Sequence, residues 1–151
     1  MIKIIVDTNI VFSALLNINS RIGQILINGK TYFDFYSPEY VKSEIFQHKG
    51  KIKSIGKLSD DEFVEAYGLI LKNITILNHS LIPLEIYRSS ELLCQDIDID
   101  DTIFSAVSDF VKGTLWTGDL KLLNGLKNKG YRNVIKTEEL YQELLIRQYQ
   151  K

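Results

Sequence analysis

Four carboxylates stand where the ends of secondary-structure elements would fix them. Asp7 directly follows the apolar run of residues 2–6 (IKIIV), and Asp119 follows Leu115-Trp116 after Thr117-Gly118. Asp101 closes an acidic run (Asp96, Asp98, Asp100, Asp101) at the head of an amphipathic segment. Glu44 lies three residues after Val41 and next to Ile45, so on a helix its carboxylate projects beside the core-facing stripe. Taken singly, each has an ordinary explanation: a helix cap, an Asx-turn or a solvated surface charge. Brought together, carboxylates repel one another and are hard to hold without a cation. An oxygen-only set, with no Cys or His support, suits Mg²⁺ or Mn²⁺ and not zinc. Held this way, the ion can activate water and stabilise negative charge developing on a phosphodiester, so phosphodiester hydrolysis is the natural reaction class.

These residues need a frame. Residues 2–6 read as a buried strand, with a helix over 10–16 and another over 21–28 stopped at Gly29. Residues 33–37 read as a second strand, and Pro38 is placed to open a helix over 38–48. The lysine-rich KGKIKSIGK that follows is a loop or a second short helix. Ser59 with Glu62 is a capping-box start for a helix containing Phe63, Tyr67, Ile70 and Leu71. Residues 74–77 suggest a strand and 84–94 a helix after Pro83. Ile103, Ala106, Val107, Phe110 and Val111 fall at helical spacing, which predicts a helix over 102–112 stopped at Gly113. Strand Leu115-Trp116, a helix to about 128, strand Val134-Ile135 and a helix over 137–149 complete the chain. Strands alternating with helices imply a parallel sheet with helices on both faces.

Composition narrows the class. A chain of 151 residues without repeats or linkers suits one domain over 1–151. Eighteen basic and nineteen acidic residues leave a net charge of −1, which argues against wholesale coating of a polyanion. The single Cys94 excludes an internal disulfide and a multi-cysteine zinc site, and fits a reducing cytoplasm. His48 and His79 are too few for a histidine metal cage. No apolar run reaches the ~18–20 residues of a membrane span, and the opening residues lack a signal-peptide pattern.

Ile4-Ile5-Val6-Asp7-Thr8-Asn9 resembles the opening motif of PIN-domain nucleases, a hydrophobic strand followed by Asp-Thr-Asn. The run from Pro38 through Glu44 to Ile45 is similar to that family's Glu-bearing helix. Asp100-Asp101-Thr102-Ile103-Phe104-Ser105-Ala106 resembles its third motif, and Leu115-Trp116-Thr117-Gly118-Asp119 its fourth. All four occur in the family's order across nearly the whole chain. The resemblance implies a PIN-like three-layer α/β/α sandwich with a central parallel sheet and a small helical protrusion near residues 49–72. It also implies a Mg²⁺- or Mn²⁺-dependent endoribonuclease, often the toxin of a VapBC-type toxin–antitoxin pair, with an antitoxin protein and a second copy of the chain as partners. Carried over by position, Asp7, Glu44, Asp101 and Asp119 become the catalytic and metal-holding residues. Thr117 would orient a water or the Asp119 loop, and Asn9 would fix the Asp7 turn. Asp98, Asp100 and Asp101 compete for the third position; the spacing to Phe104-Ser105-Ala106 favours Asp101, with Asp98 and Asp100 in support.

Two other readings compete. A haloacid-dehalogenase-type phosphatase needs Asp-x-Asp-x-Thr after its first strand, and Asp7-Thr8-Asn9 lacks the second Asp. A non-catalytic RNA-binding PIN-like scaffold would be expected to have lost a carboxylate, and here all four are present. Lys42, Lys49, Lys51, Lys53 and Lys57 form a basic segment next to Glu44, where phosphate contacts, from Lys49, Lys51 and Lys53 above all, would offset the repulsion between an acidic pocket and RNA. Tyr32, Tyr36 and Tyr40 could stack on unpaired bases.

Overall fold

The computed structural model describes residues 1–150. Its frame is a five-stranded parallel sheet of β1 (Ile2–Val6), β2 (Phe33–Pro38), β3 (Ile74–Leu77), β4 (Thr114–Trp116) and β5 (Val134–Ile135), in the order β3-β2-β1-β4-β5. Period-2 alternation sends successive strand residues to opposite faces. On β1, Ile4 and Val6 enter one core with Phe35 and Trp116, whereas Ile5 enters the other with Leu115 and Val134. Parallel neighbours cannot be joined by tight turns, so helices must cross over each face.

The first face is covered by α1 (Thr8–Leu16), α2 (Arg21–Asn28), α3 (Tyr40–Gln47), α4 (Lys49–Gly56), α5 (Asp60–Leu71) and α9 (Thr137–Tyr149). The second is covered by α6 (Leu84–Cys94), α7 (Thr102–Val111) and α8 (Leu120–Asn128). The result is a three-layer α/β/α sandwich. The lysine-rich stretch is helical: Ile52 on α4 and Phe63, Ala66 and Ile70 on α5 are buried in the first core. Ser59 and Glu62 form the reciprocal capping box that opens α5.

Local differences from the sequence reading have local causes. Pro38 does not open a helix; it ends β2 in register with Leu77, and α3 starts at Tyr40. A residue without an N–H is tolerated at a strand end. The turn that ends α7 is made by Lys112, at φ 58°, not by Gly113. Gly113 is needed for space: a Cβ there would lie 2.5 Å from Ile5 Cδ1 and 2.8 Å from the Lys3 carbonyl oxygen. No single helix among the described residues is long and apolar enough to cross a membrane.

Candidate active site

In this sheet the strand order reverses direction between β1 and β4, since the chain winds outward from β1 through β2 and β3, then returns to β1's other side. Open parallel sheets bind ligands at the carboxyl ends of the strands flanking such a reversal. Asp7 leaves the end of β1 and Asp119 follows the end of β4, so the two straddle that crevice.

Asp7 is 3% exposed. It is the N-cap of α1, with Oδ1 accepting the Ile10 N–H at 2.9 Å, and the Asn9 backbone N–H also donates to it. The Asp7 turn is thus held by main-chain donors, while Asn9 itself lines the cleft. Thr117 is buried; its Oγ1 accepts the Asp119 N–H at 3.1 Å and its hydroxyl donates to Asp7, so one side chain ties the two aspartates. Asp119 caps α8 with Oδ1, accepting from Lys121 N–H at 2.9 Å and Leu122 N–H at 3.3 Å.

Asp101 precedes α7 but makes no side-chain cap bond, so capping does not account for its carboxylate. A short 3₁₀ turn over Ile99–Asp101 precedes it, opened by Asp98, whose Oδ1 accepts the Asp100 N–H at 3.0 Å. That turn folds Asp98 back toward Asp101. Carboxylate oxygens of Asp98, Asp101 and Asp119 all lie within 4.8 Å of one another. Asp100 is exposed on the rim. Glu44, on α3, is half-buried and accepts a hydrogen bond from the Thr8 hydroxyl, which fixes it toward the start of α1. Asp7, Thr8, Asn9, Glu44, Asp98, Asp100 and Asp101 line a cleft of about 180 Å³ closed on one side by Phe104.

The electrostatics are those of crowded carboxylates. Burial pushes Asp7 up to about 6, against the lowering effect of Thr117 and Ile10, and Asp119 adds repulsion. Burial also raises Asp101 to about 7, reinforced by the charges of Asp98, Asp7, Asp119 and Asp100. Such crowding costs stability unless a proton or cation relieves it.

The lysine segment is arranged differently. Lys53 and Lys49 both pair with Asp60, at 2.5 and 3.7 Å, tying α4 to the start of α5. Lys51 instead lies over the Phe12 ring, 5.9 Å from its centroid. Phe12 lines a second groove with Asn9 and Asp119, so Lys51 stands beside the extension of the cleft. Two contributors escaped the sequence reading. Thr8 was visible only as the middle of Asp7-Thr8-Asn9. Ser37 is buried and donates to the Val6 carbonyl at 2.7 Å, bracing β1 just before Asp7.

No curated protein matches the chain in sequence. Among solved structures, that of VapBC2 from Rickettsia felis bound to a DNA fragment from their promoter has a similar fold, with a TM-score of 0.68 at 14% identity. The likeness covers 89% of this chain and 98% of that one. The family model for the PIN domain matches residues 5–144, a span that takes in the β1 end, Glu44, the 98–101 turn and Asp119. That match, on the sheet and acidic crevice described above, makes the chain a member of the PIN domain family.

Proposed function

We propose that the chain is a divalent-metal-dependent endoribonuclease. The observation that carries the reading is the convergence of Asp98, Asp101 and Asp119 within 4.8 Å beside a buried Asp7. The donor set is all oxygen and the charges acting on Asp101 are other carboxylates, which suits a hard cation that takes oxygen ligands. Asp7, Asp101 and Asp119, with Asp98 and Glu44 beside them, would hold Mg²⁺ or Mn²⁺. When bound, the ion supplies positive charge against the phosphodiester and lowers the pKa of water.

The chain's own residues do the positioning. Thr117 sets the Asp7–Asp119 spacing, and Thr8 aims Glu44 at the cleft. A carboxylate there can accept the proton of the attacking water, and the buried Asp7 keeps the floor of the cleft charged when a cation is present. RNA is the substrate we assign, with Lys51 meeting a phosphate along the groove beside Phe12. The fold likeness to a VapBC2 structure supports a toxin acting in the cytoplasm, countered by an antitoxin protein; a homodimer is the expected assembly.

Cleavage of defined RNA and DNA oligonucleotides tests the reading. RNA should be cut internally with Mg²⁺ or Mn²⁺, EDTA should stop it, and Mn²⁺ should restore it in the wild type but not in Asp7→Asn. Cleavage surviving both EDTA and Asp7→Asn would remove the metal-dependent reading. RNA binding without any cleavage would instead favour a scaffold.

A further inference from the structure

Next to the acidic cleft lies a groove of about 380 Å³, formed where the start of α3, α6 and the head of α7 meet. Asp100 belongs to the linings of both, so the groove adjoins the cleft at this residue. The charges of Glu44 and Asp100 both act on the Tyr40 phenol, which places this ring at the junction. Tyr40 is 43% exposed although it is a large aromatic, and Tyr87 and Ile103 line the same groove. The volume falls in the range of small-ligand sites, about 300–1,000 Å³.

The polar lining limits what can enter. Glu91 and Asp100 contribute carboxylates, His79 an imidazole and Thr102 a hydroxyl that already donates to the Ile99 carbonyl, and none of the described lining residues is lysine or arginine. A phosphate would be repelled, so the groove is not a path for the RNA backbone. Aromatic and aliphatic walls suit a flat, uncharged ring. Ionised carboxylates only accept hydrogen bonds, so they favour a ring edge that donates.

We propose, building on the nuclease reading, that this groove is a base-reading subsite holding one unpaired nucleobase adjacent to the cleaved phosphodiester. The geometry favours a base with an amino group, guanine foremost. Its N1–H and N2–H₂ present two neighbouring donors to a single carboxylate, whereas adenine and cytosine offer one amino group and uracil offers only a single N3–H flanked by two carbonyl oxygens. Glu91 reads the edge, and Tyr40 supplies a stacking face. The expected selectivity lies in the base beside the cut, not in a longer sequence.

The test is a set of single-stranded RNA oligonucleotides in which each position flanking the cut carries G, A, C, U or an abasic residue in turn. At one flanking position, kcat/KM should be highest for G, lower for A and C, and lowest for U and the abasic residue, with a span of about tenfold or more. Glu91→Gln, a near-isosteric change at an exposed site, should shrink the G-to-U ratio while leaving the abasic substrate unaffected. Tyr40→Ala should lower cleavage of all four bases toward the abasic level. Thermal unfolding of both variants checks that they fold. A 2-aminopurine at the same position, bound with Ca²⁺ in place of Mg²⁺, should lose fluorescence on stacking in the wild type and not in Tyr40→Ala. Metal-dependent cleavage indifferent to the flanking base, with unchanged ratios in both variants, would overturn the subsite and leave the nuclease standing. Absence of metal-dependent cleavage of every oligonucleotide would overturn both.

Discussion

Replacing Asp7 by Asn should stabilise the metal-free protein, and by an amount that depends on pH. The Asp7 carboxyl titrates near 6 in the fold against 3.8 for an ordinary aspartate. A raised carboxyl pKa means the fold prefers the proton. The associated stability is fully present below pH 3.8 and is lost as pH rises through 6. At about 1.4 kcal/mol per pH unit, the charged form costs about 3 kcal/mol at pH 8. Asn never carries that charge, and its side-chain oxygen can still accept the Ile10 N–H now held at 2.9 Å. The hydrogen bonds to the charged carboxylate are already contained in that shift, so the net expectation is a gain of about 3 kcal/mol at pH 8 in EDTA, or a Tm rise of about 6–12 °C for a chain of this size. Near pH 4 the difference should vanish. Urea and thermal denaturation of both proteins from pH 4 to 8 would measure it, with Asp7 and Asp101 titrating as a coupled group. Saturating Mg²⁺ should reverse the order, because an ion that binds only the folded wild type adds stability as RT ln(1 + [L]/Kd). An Asp7→Asn protein no more stable than the wild type at pH 8 in EDTA would refute the claim that burial and crowding penalise this carboxylate.

The other predictions concern single groups. Asp101→Asn should lower Mn²⁺ affinity by at least about tenfold, read as loss of the Mn²⁺-induced rise in Tm, with RNA cleavage falling in parallel; an unchanged Tm response would remove Asp101 from the ligand set. Lys51→Ala should reduce the slope of log affinity for RNA against log salt by about one. Lys53→Ala should leave that slope alone and lower Tm instead, since Lys53 is engaged with Asp60; the opposite pattern would reassign the phosphate contact. Gly23→Ala should cost about 2–4 kcal/mol, because a Cβ there would lie 2.1 Å from the Ile18 carbonyl oxygen and backbone must move; a measured loss under about 0.5 kcal/mol would show that the α1–α2 connection is free to shift.

The order of elements was readable because the patterns are strong. Ile103, Ala106, Val107, Phe110 and Val111 repeat at helical spacing, and the β-branched run of residues 2–6 fits a strand whose last three residues are buried. Boundaries were harder where one residue type serves two purposes. Pro38 satisfies both a helix start and a strand end, and only its pairing with Leu77 decides between them. KGKIKSIGK is polar on most positions, and its helix is fixed by one residue, Ile52, reaching the core between α1 and α5. The lysines there look like a phosphate patch in one dimension. In three dimensions Asp60, which begins the next helix, faces Lys49 and Lys53, whereas Lys51 lies over the Phe12 ring.

The acidic positions could be found in sequence for a topological reason. In a parallel sheet every strand ends on the same edge, so polar residues that directly follow strands gather there whatever the strand order. Asp7 and Asp119 needed no further information. The 98–101 turn follows no strand, and its geometry depends on a side-chain hydrogen bond to the backbone. Asp98 accepting the Asp100 N–H at 3.0 Å bends the chain so that residues three apart, Asp98 and Asp101, face the crevice while Asp100 turns to the rim. Alternating Asp and Ile letters give no hint of that bend, which is why the choice among three aspartates stayed open. The same bend gives Asp100 its place in two linings: the clustered carboxylates stand on one side, and the tyrosine-lined groove lies on the other. A nuclease built this way would join hydrolysis and base recognition through one four-residue turn.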